Sequence, residues 1–110
     1  MNSTLKKQIE KNLALVLSDF KDEKEALNFL KSFLTEKELE DLAKRLSVSY
    51  WLSKNRTSEN IKTNLKVSST TIKEGKALLN KNEIKYALKK LDASEWADKW
   101  SEKLKNLISN

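Results

Sequence analysis

Leu5, Ile9, Leu13, Val16, Leu17 and Phe20 recur at three- and four-residue steps, which lines up apolar side chains along one face of a helix. Ser3 or Thr4 is the expected cap of this first helix. A second helix is predicted from Asp22, with Glu25 three residues on and Leu27, Leu30 and Phe33 inside it. Thr35 and Glu38 form a capping box that opens a longer helix through Leu39, Leu42, Leu46 and Tyr50, ending near Lys54 and Asn55. Thr57 caps a short helix containing Ile61 and Leu65. The pattern breaks at Lys66, Val67 and Ser68, and Ser68 or Ser69 starts another short helix with Ile72, Leu78 and Leu79. A second break at Asn80, Lys81 and Asn82 precedes a helix over Glu83–Leu91. Asp92 or Ser94 then caps a last helix carrying Trp96, Trp100, Leu104, Leu107 and Ile108. The expectation is an all-α chain of about seven helices with no strand.

Composition agrees with helices. The chain has 110 residues with one glycine, Gly75, and no proline, so the usual residues of β-turns are nearly missing. This length suits one domain. We read residues 1–91 as a helical domain and residues 92–110 as a C-terminal helix packed on it.

The same composition removes several kinds of chemistry. Without Cys or His there are no disulfides, no thiolates, no zinc sites built from those ligands and no imidazole base. One glycine cannot make a glycine-rich phosphate loop, and no nucleophile stands beside a base, so an enzyme is not expected. Acidic pairs such as Glu38 with Asp41, or Glu36 with Glu40, fall at helical spacing and read as solvated surface, not as a metal site. No apolar run is long enough for a signal peptide or a membrane span, and the expected location is cytoplasmic.

Charge is unevenly placed. The net charge is +6. Residues 1–53 are neutral overall, residues 54–90 carry +7 and residues 91–110 carry −1. A concentrated positive segment attracts a polyanion, because phosphate neutralisation releases counterions.

The basic segment contains a second pattern. Ile61 and Leu65 stand four apart, Val67 falls in the turn, and Ile72 follows five residues later. Two short helices meeting at a wide angle need this spacing, which predicts a helix-turn-helix between Thr57 and Leu79. Ser68, Ser69, Thr70, Thr71 and Lys73 occupy the first turns of its second helix, the region that such units present to base edges in the major groove of double-stranded DNA. Lys66 falls where the turn often has glycine, and a left-handed lysine there costs about 1–2 kcal/mol.

Residues 33–79 resemble the Trp repressor family. The resemblance begins at Phe33–Glu38, where the family has a Leu-Thr-Pro-Asp-Glu type box, and continues at Arg45. It is best over Asn64–Gly75, where Thr71, Ile72 and Gly75 fit the family's Ala-Thr-Ile-Thr-Arg-Gly, and it needs one deletion near Asn55. It implies an intertwined homodimer, formed by the N-terminal and long middle helices, whose two heads enter successive major grooves. It implies base contacts from Ser69, Thr70, Thr71 and Lys73, a phosphate contact from Lys62, and close packing at Gly75. With Ser58, Ser68 and Lys76 these make up the expected DNA-binding set. The family's effector pocket would fall at Thr35, Arg45, Glu74 and Leu78. Thr35 and Arg45 match it. Glu74 replaces the second arginine and Leu78 replaces a serine, so an amino-acid carboxylate would meet like charge. No cofactor is therefore expected, L-tryptophan least of all, and the chain would bind DNA constitutively or respond to another small effector.

Trp51 reads as core, and Trp96 and Trp100 as residues packed onto the bundle. The expected function is a sequence-specific DNA-binding transcriptional regulator, and the family resemblance implies that it is a repressor. The alternatives are a helical protein-interaction module using the tryptophan-bearing tail, and an RNA-binding helical module.

Overall fold

The computed structural model describes residues 1–108 and contains six helices and no strand among them. They are α1 (Ser3–Ser18), α2 (Glu23–Phe33), α3 (Glu36–Ser53), α4 (Ser58–Leu65), α5 (Ser69–Leu78) and α6 (Asn82–Ile108). The chain forms two compact units, divided after Asp41 inside α3.

In the first unit the helix starts are set by side chains that accept otherwise unsatisfied backbone N–H groups. Asn2, not Ser3 or Thr4, caps α1, its Oδ1 accepting from the Leu5 N–H at 2.7 Å. Asp22 accepts from the Glu25 N–H at 2.8 Å to open α2. The box that opens α3 is complete: Thr35 Oγ1 accepts from the Glu38 N–H at 3.1 Å, and Glu38 Oε1 accepts from the Thr35 N–H at 2.9 Å. Neither α1 nor α2 contains a buried residue. Phe20, Phe29 and Phe33 form a run of ring contacts at 5.3 and 5.2 Å. The predicted stripe of α1 is present as a stripe, and Leu5, Ile9, Leu13, Val16 and Leu17 are each 44–49% exposed.

The second unit holds the core. Val48 of α3, Ile61 of α4 and Ile72 of α5 are buried together, with Trp51, Leu52, Leu65 and Val67 packed around them. Trp51 is thus a core neighbour as expected, and the Arg56 guanidinium covers its ring at 3.9 Å.

Two non-glycine residues turn the chain with positive φ, Asn55 at 64° and Lys66 at 55°. Asparagine tolerates this region, whereas lysine is strained in it. Lys66→Gly is expected to raise stability by a little under 1 kcal/mol, since relief of strain exceeds the added freedom of the unfolded chain. A thermal melt at fixed protein concentration checks the sign. A lower midpoint would show that Lys66 carries no strain worth relieving.

Corrections to the expected helix map concern the C-terminal end. Residues 82–108 are one helix of 27 residues, not two, so the structure has six helices where about seven were expected. Asp92 resembles a cap in the sequence, but its carboxylate accepts from Lys54 Nζ at 2.5 Å and from the Tyr50 hydroxyl at 3.2 Å, and the helix runs through it. No glycine or proline interrupts this stretch. Trp96 and Trp100, expected to pack onto the bundle, are 63% and 46% exposed, with their rings 5.4 Å apart.

Candidate nucleic-acid interface

The polar residues singled out in the basic segment converge on α4, α5 and the turn between them. Thr57 caps α4, accepting from the Asn60 N–H at 3.1 Å. Ser58 is exposed at the first position of that helix. Ile61 faces the core with no exposed surface. Lys62 is half-buried beside it, 3.8 Å from Glu59. At Lys66 the chain enters the left-handed region, and Val67 turns in against the core.

Ser68 then caps α5. Its Oγ accepts from the Thr71 N–H at 3.2 Å and lies 3.1 Å from the Thr71 hydroxyl. Both hydroxyls are therefore engaged with each other at the helix start, and Thr71 is half-buried. Ile72 and Gly75 are the buried face of α5. At about 100° per residue, the direction away from them is occupied by Thr70, Lys73, Glu74 and Ala77, with Ser69 and Lys76 at one margin. Ser69, Thr70, Lys73, Glu74 and Lys76 are all exposed. The result is a short polar ridge with Lys73 and Glu74 side by side and a small residue at its middle, held by an apolar back.

What holds that ridge in place includes a residue that sequence reasoning missed. Ser49 of α3 has no exposed surface, and its hydroxyl donates to the Gly75 carbonyl at 2.8 Å. The helix backbones approach closely here: a Cβ built on Gly75 would lie 2.5 Å from Val48 Cγ1. The one glycine of the chain is therefore used for contact between α5 and α3, and the buried serine secures it.

The expected effector positions are spread over both units. Thr35 lies in the first unit, exposed, with its hydroxyl in the capping box. Arg45 and Glu74 are exposed on α3 and α5 of the second unit, and Leu78 is half-buried.

A polar clasp joins the end of α3 to α6. The Tyr50 hydroxyl bonds to Glu95 and Asp92, and Lys54 pairs with Asp92 at 2.5 Å. The Tyr50 phenol is raised well above its ordinary pKa, first by the Glu95 hydrogen bond, then by burial and by Asp92. The Lys54 hydrogen bond holds Asp92 below the usual carboxylate range, and the Tyr50 hydrogen bond does the same for Glu95. Lys54 is raised by its bond to Asp92. A carboxylate with a lowered folded pKa contributes above its unfolded value of about 4 and loses that contribution as pH falls through the lowered one. The carboxylates of the clasp thus contribute at neutral pH and lose that contribution in acid.

No helix among the described residues is long and apolar enough to cross a membrane. The family model for the Trp repressor protein matches residues 8–92, from within α1 to the clasp in α6. No curated protein and no solved structure matches the chain. The family match spans α2 to α5 entire, including the core, the ridge and Gly75. On this match the chain belongs to the Trp repressor protein family, a family of DNA-binding transcriptional regulators and not of enzymes.

Proposed function

We propose that this protein is a homodimeric repressor that reads double-stranded DNA in the major groove, with α4, the turn at Lys66 and α5 acting as a helix-turn-helix. The observation that carries this reading is the exposed ridge Ser69, Thr70, Lys73 and Lys76, at the centre of the one segment that holds the chain's excess positive charge. Ser69 and Thr70 are exposed and carry hydroxyls that donate to or accept from base edges, and Lys73 favours guanine or phosphate. Ser68 and Thr71 hold the start of α5 in shape, since their hydroxyls already meet each other. Ser58, at the start of α4, and Lys62 and Lys76 take the phosphates that fix register.

The dimer is supported by the first unit. A helix whose apolar stripe is nearly half exposed from Leu5 to Leu17 leaves surface in water that costs about 25 cal/mol per Å². A second copy covering that stripe removes the cost. Two heads then meet half-sites about one helical turn apart. Glu74 argues against an L-tryptophan corepressor, because its carboxylate would repel that of the ligand.

The test is fluorescence anisotropy on a pool of random duplexes at several salt concentrations, with bound sequences enriched and read. A two-fold site whose affinity falls steeply with salt is the expected result, and no binding at low salt overturns the reading. Lys62→Ala is expected to weaken every duplex alike and to flatten the log–log salt slope by about 0.9. Thr70→Ala is instead expected to relax preference at one base step by about 1–3 kcal/mol. Equal loss across all sequences for Thr70→Ala would remove it from base reading.

A further inference from the structure

Helix α6 changes its use along its length. In its first half it packs on its own unit: Leu88 is buried, Ile84 and Leu91 are half-buried, and Asp92 and Glu95 engage Lys54 and Tyr50. From residue 92 to 108 every side chain is exposed. In this stretch Ala93, Ala97, Trp100, Leu104 and Leu107 follow one another at steps of four and three residues, the spacing of a helix–helix seam. Ala97 stands nine residues after Leu88, which is two and a half turns, so the seam lies on the side of α6 opposite the side that packs on the chain. The large members are open, with Trp100 46%, Leu104 51% and Leu107 74% exposed. The match to the family ends at residue 92, where this seam begins.

We propose that residues 93–104 are a homotypic docking surface, occupied by the same segment of a second copy of this chain lying antiparallel. Two features select this occupant. The first is size. Along the seam the small residues Ala93 and Ala97 precede the large residues Trp100 and Leu104, and Trp96 flanks it with its ring 5.4 Å from that of Trp100. An antiparallel copy sets Ala97 opposite Trp100 and Ala93 opposite Leu104, so small meets large in each layer. A parallel copy sets Trp100 on Trp100 and Ala97 on Ala97, which overfills one layer and empties the other. The second is charge. Residues 92–98 carry Asp92, Glu95 and Asp98 and no cation, whereas residues 99–108 carry Lys99, Lys103 and Lys105 against Glu102 alone. Antiparallel pairing lays the acidic half of each copy along the basic half of the other, and parallel pairing lays like on like. The seam is short, so its pairing is expected to rely on the proximity that other contacts between copies supply.

The chain has no cysteine, which makes the test direct. Ser94→Cys and Ser101→Cys each place one thiol beside the seam in the full-length protein. The two variants, one of them isotope-labelled, are mixed and treated with a short bismaleimide, and products are read by intact mass. The expected main product joins Ser94→Cys of one chain to Ser101→Cys of the other. A predominance of Ser94→Cys joined to itself, or a yield no higher than in denaturant, overturns the proposal. In the second arm Trp100→Glu with Leu104→Glu is added to both variants. The crosslink is expected to fall at least about tenfold, corresponding to roughly 1.4 kcal/mol, while far-ultraviolet circular dichroism keeps its helical signal. An unchanged yield in helical protein overturns the proposal. Protection of the tail tryptophans without a tail-to-tail product also overturns it, by assigning the seam to another surface. DNA binding read by anisotropy is independent of these outcomes, so loss of the operator reading and loss of the tail pairing are separable.

Discussion

Ile61→Ala is expected to lower the stability of the unit that begins at Leu42 by about 3–4 kcal/mol. Ile61 is the largest side chain with no exposed surface, and it joins α4 to Val48 of α3 and Ile72 of α5. Truncation removes three carbons and leaves a space lined by those two β-branched side chains, each with a stiff first torsion. Such a lining collapses poorly, so most of the cavity term is retained. The core is small, and total stabilities of 5–15 kcal/mol are usual, so the loss is a large share. Urea unfolding followed by circular dichroism, at one protein concentration, reads the midpoint. Ile61→Val is the control and is expected to cost only about 1 kcal/mol. If the two variants unfold within a few tenths of a kcal/mol of each other, Ile61 is not the centre of this core.

Gly75→Ala is expected to destabilise by about 2 kcal/mol, against the usual direction for a helix interior. Intrinsic propensity alone would favour alanine by about 1 kcal/mol. The added carbon would lie 2.5 Å from Val48 Cγ1 and 3.1 Å from Val48 Cβ, and Val48 has no exposed surface into which to move. Relief requires α5 to shift from α3, which lengthens the Ser49 hydrogen bond to the Gly75 carbonyl. Overpacking of this kind typically costs 1–3 kcal/mol, and a strained buried hydrogen bond adds to it. The cause is separable by a double-mutant cycle. In a Val48→Ala background the same Gly75→Ala change is expected to be neutral or favourable, because the clashing methyl is gone. An equal cost in both backgrounds would rule out Val48 as the obstacle.

Much of this architecture was legible from local chemistry. Thr35 with Glu38, Asp22, Thr57 and Ser68 all cap the helices they were expected to cap, because each acts on N–H groups two or three residues away. The turn at Lys66, the burial of Ile61 and Ile72 and the packing of half-buried Val67 against them followed from the apolar spacing. What was not legible depended on distant partners. Ser49 reads as an ordinary polar position in a helix, and only the approach of Gly75, 26 residues away, makes it a buried donor. Asp92 has the side chain of a cap, but Tyr50 and Lys54 claim it, so the expected break did not form. The tryptophans of α6 were expected to pack inward, since large aromatic residues in a small domain usually do. The continuous helix instead carries them past the last residues that pack on the unit. In the ridge, the hydroxyls of Thr70 and Thr71 look equivalent in sequence, and the capping contact with Ser68 distinguishes them.

The unbroken course of α6 makes the angular phase between its two faces a matter of residue count alone. At about 1.5 Å and 100° per residue, its 27 residues form a rod of roughly 40 Å in which every insertion is also a rotation. One residue added between Leu91 and Ala93 would turn the seam by more than a quarter of a circle and leave each of its side chains intact. Seven added residues would nearly restore the bearing and lengthen the rod by roughly 10 Å. With the proposed seam in place, length variation in this segment would keep the bearing only in steps close to whole helical turns, such as about seven or eleven residues, a constraint that acts on spacing and not on residue type.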